Sequence, residues 1–298
     1  MPSTFHSLGW LRDYPDVRDL HLESTTVPSK LALAGQPSVS EMLAKIPTTP
    51  ALSPNCNLSR WCPPIKDQGG IGSCTSNAAA ALYEYFEIKN YGKSTSLSRL
   101  FLYKVTRQLS FLQGDSGAYL RTTMGALSTF GAPPEAYYPY IEANFDNDPD
   151  AFSFALAQSY QALTYYRVDP PGTTGSTLLT NIKTNISKGL PMIFGFTVFN
   201  SYSQTNTNGG CFVYPAPGDT ISGGHAVMAM GYDDNKVIRN TNPGGIQTTG
   251  AIMIQNSWGT GWGQSGFGWI PYQYITSGMA TDWWSLIKGE WVDLGVFT

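Results

Sequence analysis

One cysteine in this chain stands where sulfur becomes a nucleophile. Cys74 follows the turn Gln68-Gly69-Gly70-Ile71-Gly72-Ser73 and precedes Thr75-Ser76-Asn77 and four alanines. The glycines permit a tight backbone turn. The apolar run from Ala78 to Ile88 reads as a buried helix, with Ser73 or Thr75 to cap its start. A cysteine at a helix N-terminus faces unpaired N–H groups and the positive end of the helix dipole, which favour thiolate over thiol. A thiolate nucleophile needs a base, and the chain holds three histidines, His6, His21 and His225. Of these, His225 alone lies in a stretch with a reason to be buried: Ser222-Gly223-Gly224-His225-Ala226-Val227 is a glycine corner entering an apolar strand. A third signal follows the strand-like Ala251 to Ile254, where Asn256-Ser257-Trp258-Gly259-Thr260-Gly261-Trp262-Gly263 forms a highly specific octet. The chemistry these residues could perform is acyl transfer through sulfur.

The order Gln68, Cys74, His225, Asn256, with these surroundings, resembles the papain-like cysteine peptidases, and the leader before it resembles those of the bacterial members. In that pattern the His and Asn stand roughly 130–150 residues past the Cys; His225 is 151 positions after Cys74. The resemblance covers roughly residues 58–275. It implies an α+β fold of two lobes, one helical and one an antiparallel β-barrel-like lobe, with the active site in the cleft between them. It also implies roles. Cys74 is the nucleophile and His225 its base and acid. Asn256 orients the imidazole, and Trp258 shields that hydrogen bond from water. Gln68 and the Cys74 N–H form an oxyanion hole. Gly117 and Ala118 offer backbone bonds to an extended peptide. Gly223 and Gly224 leave room for the side chain two residues before the cleaved bond, and Trp262 flanks the leaving-group side. Two departures bear on specificity: Ile71 replaces a half-cystine and Thr75 replaces an aromatic; Ala118 stands where the family often has a second glycine. The expected partner is a polypeptide substrate, and a cofactor is not implied. Two rivals share the scaffold: an amidase or transpeptidase, and an inert interaction protein.

Three segments must position these groups. Residues 1–55 are rich in Pro, Ser, Thr and Leu. They read as an extended or hairpin stretch around Trp10–Asp19, a short helix from Ser38 to Ile46, and a linker-like run with Pro47, Pro50 and Pro54. This leader is either a propeptide of a zymogen or an arm covering a sheet edge. Residues 56–150 read as the helical lobe, with helices from Cys74, over Ser96–Leu109 and ending near Leu127. Residues 151–298 read as the β-rich lobe, with one helix over Ser176–Lys188 and strands at Met192–Val198, after Gly224, at Val237–Ile238, Ala251–Gln255 and Phe267–Ile270.

Composition narrows the class. Apolar content of 42% suits a packed core, and a net charge of −3 gives no signal for nucleic acid or an anionic membrane. No apolar run approaches the roughly 18 residues of a membrane span. A monomer is expected. The cysteines, Cys56, Cys62, Cys74 and Cys211, contain no Cys-x-x-Cys pair, so no metal site is expected. Cys56 and Cys62 share a proline-bounded loop and are candidates for a bridge, with Cys211 an alternative partner for either. A disulfide would suit a secreted or otherwise oxidising location. The start Met1-Pro2-Ser3-Thr4 lacks an apolar signal region, which reads as a signal already removed or as a cytosolic protein.

Overall fold

The structure is a computed structural model that describes residues 6–27, 37–47 and 51–289. Pro50 of the expected linker, parts of the leader and the end of the β-rich segment lie outside those residues. The first strand, β1 (Trp10–Leu11), comes from the leader. The expected short helix is α1 (Val39–Ala44), where Ser38 and Glu41 form a reciprocal capping box. Val39 and Leu43 bury its inner face.

The apolar run after Cys74 forms α2 (Cys74–Tyr91), which ends where Gly92 turns into the left-handed region at φ 73°. Ser73 occupies its N-cap but makes no capping bond. Its hydroxyl meets Tyr140 Oη at 2.6 Å instead, so the first N–H groups of α2 stay free of a side-chain cap. Helices α3 (Arg99–Leu109) and α4 (Leu120–Thr129) complete the expected helical set. Ser98 caps α3 by accepting from Phe101 N–H. A short strand, β3 (Ala118–Tyr119), precedes α4, and α5 (Ala151–Ala157) follows it.

The second half builds on α6 (Gly175–Ser187) and an antiparallel sheet. Its strands are β4 (Ala162–Arg167), β5 (Met192–Phe199), β6 (Ile221–Arg239), β7 (Gln247–Gln255), β8 (Phe267–Pro271) and β9 (Ala280–Gly289), with helix α7 (Tyr272–Thr276) after β8. They pair in the order β4-β9-β5-β6-β7-β8. Strand β2 (Asn55–Asn57) pairs with β6 off this path, through Asn57↔Gly231. The boundary drawn at residue 56 therefore falls inside a strand of the sheet. Strands β4 and β9 are additions to the sequence reading. Asp282 and the tryptophans of β9 hide the alternation that marks a half-buried strand, because Asp282, Trp283 and Trp284 are all buried.

The core lies where α2 packs on the sheet. Ala79, Ala80 and Leu82 of α2 share one buried cluster with Phe194, Val227 and Met228 of the sheet, and Trp283 stacks on Phe194 with centroids 3.9 Å apart. All four cysteines are free thiols, which corrects the expected Cys56–Cys62 bridge. The sulfurs find other acceptors: Cys56 Sγ lies 3.8 Å from Ile186 O, and Cys62 Sγ 4.0 Å from Leu58 O. Pairing to β6 holds Cys56, and the 3₁₀ turn at 59–61 holds Cys62.

One buried ion pair ties α2 to the strap that leads into the glycine turn. Lys66 Nζ donates to Glu84 Oε1 at 2.6 Å, and Leu97 N–H reaches the same oxygen at 2.9 Å. Burial pushes the Glu84 carboxyl up, against the pull of Lys66. Lys66→Met leaves that carboxylate without its cation, a loss of about 3 kcal/mol. Because the carboxyl is raised, protonation relieves the penalty at low pH. Thermal melts should show a larger drop in Tm at pH 8 than at pH 5; equal drops would contradict the ion pair.

Candidate active site

The imidazole is held from behind. His225 sits in β6 and Asn256 follows β7; the two strands pair through Met228↔Gln255. His225 Nε2 lies 2.8 Å from Asn256 Oδ1. Ser257 N–H also donates to Oδ1 at 2.8 Å, which identifies that atom as the amide oxygen. The Nε2 atom therefore carries the proton. The other ring nitrogen, Nδ1, is buried and makes no hydrogen bond. Trp258 stacks on the ring at 4.7 Å and covers the bond. Trp262 stands behind Trp258 at 5.5 Å, donates to Thr205 Oγ1 at 3.2 Å, and is buried; it borders the site only through Trp258.

The glycine turn is pinned by side chains that the sequence reading missed. Gly69 adopts φ 60°, and the Glu142 carboxylate fills the space a Cβ would need, 1.9 Å away. Tyr140 Oη donates to Gln68 O at 2.8 Å, and Arg99 lies 3.9 Å over the Tyr140 ring. The Gln68 side chain joins the two halves of the molecule. Its Oε1 accepts from Ser257 Oγ at 2.7 Å, and its Nε2 donates to Ile71 O at 3.1 Å and to Ser7 O at 2.9 Å. Ser257 was visible only as the second letter of the octet.

That last contact comes from the leader, whose residues 6–11 run along the groove between the halves. His6 stacks on Trp258 at 5.4 Å, with Nε2 3.0 Å from Asp67 Oδ1. Ser7 Oγ donates to Gly70 O at 2.7 Å. Leu8 lies against Gly223, where a Cβ would meet it at 3.0 Å. Gly9 O accepts from Ala118 N–H at 2.8 Å, and β1 pairs in parallel with β3 through Trp10↔Ala118. Here the glycines are required by closeness: a Cβ on Gly9 would fall 2.0 Å from Gly72 O, and one on Gly117 2.3 Å from Gly9 O. Trp10 is buried against Gly195 and Gly224, where a Cβ would lie 1.8 Å and 2.4 Å from it. The predicted site residues Gln68, Gly117, Ala118, Gly223, Gly224 and Trp258 thus meet the leader.

Burial sets the charge state. Cys74 and His225 are both fully buried. Loss of water pushes the Cys74 thiol up to about 11, and the N–H groups of Ala226, Gly9, Thr75 and Cys74 itself pull it back only in part. Burial likewise pushes His225 down to about 4, against the bond to Asn256 and together with repulsion from His6. With the leader in place, burial thus pushes both members of the pair towards their neutral forms. The amide of Ala226, next to His225, points at the sulfur. The start of α2 and the histidine strand therefore face one another.

Comparison with known proteins agrees with this geometry. Residues 55–285 match the family described as papain family cysteine protease. An uncharacterized peptidase C1-like protein of Acanthamoeba polyphaga mimivirus is 32% identical over 290 residues, covering 93% of this chain and 86% of its own length. Cysteine proteinase 1 of Entamoeba histolytica is 26% identical over 74% of this chain and 63% of its own. Among solved structures, xylellain, a cysteine protease from Xylella fastidiosa, superposes with a TM-score of 0.70 at 29% identity, covering 94% and 95% of the two chains. A match over most of its length, on a two-lobed α+β fold with a buried cysteine and a histidine–asparagine pair at the lobes' junction, makes this chain a member of the papain family of cysteine proteases.

Proposed function

We propose that this protein is a cysteine endopeptidase that cleaves polypeptides through Cys74 and is kept latent by its own leader. One atom carries the reading: the buried, unpartnered Nδ1 of His225, in the strand whose next amide faces the Cys74 sulfur. A buried nitrogen with a free lone pair is costly unless it has work elsewhere. The neutral Nε2–H tautomer makes Nδ1 the base.

The reaction is then as follows. Nδ1 takes the thiol proton and the sulfur attacks the scissile carbonyl carbon. The oxyanion is held by the Cys74 N–H and Gln68 Nε2, the group that now donates to Ser7 O. The Nδ1 proton passes to the leaving amine as the C–N bond breaks, leaving a thioester. Water, deprotonated by Nδ1, attacks that thioester, and the proton returns to the sulfur as it leaves. Asn256 keeps the ring aimed throughout.

The leader occupies these same groups. It runs from Trp258, which stands against Trp262 of the leaving-group side, towards Gly224, on the acyl side. A substrate runs the other way, so the leader fills the groove without offering a correctly aimed bond. Its course through the groove, against the substrate's direction, favours the inhibitory segment over the plain arm. The amidase and interaction-protein readings gain no observation of their own.

Three outcomes follow from this reading. In the full chain, iodoacetamide labelling of Cys74 should be slow at pH 7 and rise about tenfold per pH unit towards pH 10, since the thiolate is the reactive form and its pKa is near 11; a plateau at neutral pH would contradict a neutral pair. Trp10→Ala removes a buried aromatic worth about 3 kcal/mol, or roughly a hundredfold in leader occupancy, so peptide hydrolysis and labelling at pH 7 should both rise sharply. In that background Gln68→Ala should lower kcat about 10²–10³-fold, read with a casein-derived peptide; undiminished turnover would remove Gln68 from the oxyanion hole.

A further inference from the structure

The glycine turn and the strand that pairs with the leader meet at one carboxylate. Asp115 Oδ1 accepts from Gly72 N–H at 2.8 Å and from Tyr103 Oη at 2.6 Å. Tyr103 Oη in turn accepts from Gly117 N–H at 3.1 Å. Tyr103 is fully buried in α3, and Arg107 lies 4.4 Å over its ring. Arg107 also donates to Gly114 O, in the loop that carries Asp115. The two backbones joined this way both serve the cleft. Gly72 stands between Gln68 and Cys74, and Gly117 precedes Ala118 of β3, whose N–H the leader occupies. They nearly touch: a Cβ on Gly72 would stand 3.3 Å from Gly117 N and 3.3 Å from Asp115 Oδ1. Beside them Ile71, Leu100, Tyr103 and Ala118 form a small apolar cluster of their own. Ile71 is the residue that stands where the papain-family pattern has a half-cystine, and all four cysteines are free. The turn is thus fastened by hydrogen bonds and apolar packing instead of by a covalent bridge.

We infer that Asp115, aimed by Tyr103, is a positioning residue for the reaction: it fixes the turn that presents Gln68 and Cys74 against the strand that receives the substrate backbone. The inference rests on the peptidase reading for what the turn and the strand do. Sulfur and oxyanion donor must meet one carbonyl held by β3, and a shift of about 1 Å between turn and strand costs up to about a hundredfold in rate. A carboxylate suits the task, because its bonds to an N–H and a phenol are charge-assisted and about twice as strong as neutral ones.

The test uses the full chain carrying Trp10→Ala. In that background Asp115→Ala should lower kcat on the casein-derived peptide about ten- to a hundredfold, with KM moved less than about threefold. The leader competes with substrate within the chain, so a loosened leader shifts KM and leaves kcat alone. Asp115→Asn keeps an oxygen for Gly72 N–H and for Tyr103, and should bring kcat back to within about threefold of the parent. Tyr103→Phe should also lower kcat, and joined to Asp115→Ala it should add little, since both break one unit. An unchanged kcat in Asp115→Ala, or Asp115→Asn as slow as Asp115→Ala, would overturn the inference. If Asp115→Ala does not fold, an unchanged kcat in Tyr103→Phe overturns it. A second measurement needs no turnover. The peptide aldehyde acetyl-Phe-glycinal adds the Cys74 sulfur to its carbonyl carbon and sets its oxygen in the oxyanion hole. Its affinity, read by calorimetry, should weaken about tenfold or more in Asp115→Ala and not in Asp115→Asn; equal affinity in all three chains would overturn the inference. A parent chain that binds the aldehyde in this Asp115-dependent way and hydrolyses no peptide sinks the peptidase reading and leaves the clamp standing, and a parent chain that does neither sinks both.

Discussion

Exclusion of water governs the chemistry of this molecule. A thiol and an imidazole from opposite halves of the chain are each completely covered, and each is pushed towards its neutral form. The cover is not the domain core alone. Gly9 sends an N–H towards the sulfur, and His6 stacks on Trp258, the residue that also stacks on His225. Residues 6–11 therefore act on the buried pair twice, by filling the groove and by adding to its burial.

The frame beneath that pair is rigid where aim matters. Asn256 Oδ1 takes bonds from both His225 and Ser257, so the amide cannot turn without losing two partners. Ser257 reaches Gln68 in turn, and Gln68 N–H bonds Ser257 O at 2.8 Å. One short segment after β7 thus fixes His225 and Gln68 together. The two halves are linked at the point where the reaction would occur, so their relative placement and the geometry of catalysis depend on the same few bonds.

Much of this was legible in the residues. Cys74, His225 and Asn256 stood in motifs whose local reasons, a helix start, a glycine corner and a strand end, are each visible over a few positions. Helix α1 was signalled by Ser38 and Glu41, and β5 to β8 by runs of apolar residues. What was not legible is long-range. Trp10 meets Asp282 across 272 positions, and no local pattern announces that contact. Asp282 reads as a break in a strand because a buried acid looks like a turn residue until its partners, Arg167 and two indoles, are in place. The Cys56–Cys62 bridge was inferred from nearness in sequence, whereas pairing of Cys56 to β6 fixes where its side chain points. The helix start at Cys74 was legible as a short-range effect, whereas the burial that pushes its thiol up comes from residues distant in sequence, Gly9 among them.

The central claim is that the leader keeps the reactive pair neutral. The most direct measurement is the ¹⁵N chemical shift of the His225 ring in the full chain as a function of pH. The account predicts a neutral Nε2–H tautomer at pH 7, giving way to imidazolium only near pH 4. An imidazolium at pH 7 with residues 6–11 still in the groove would contradict it.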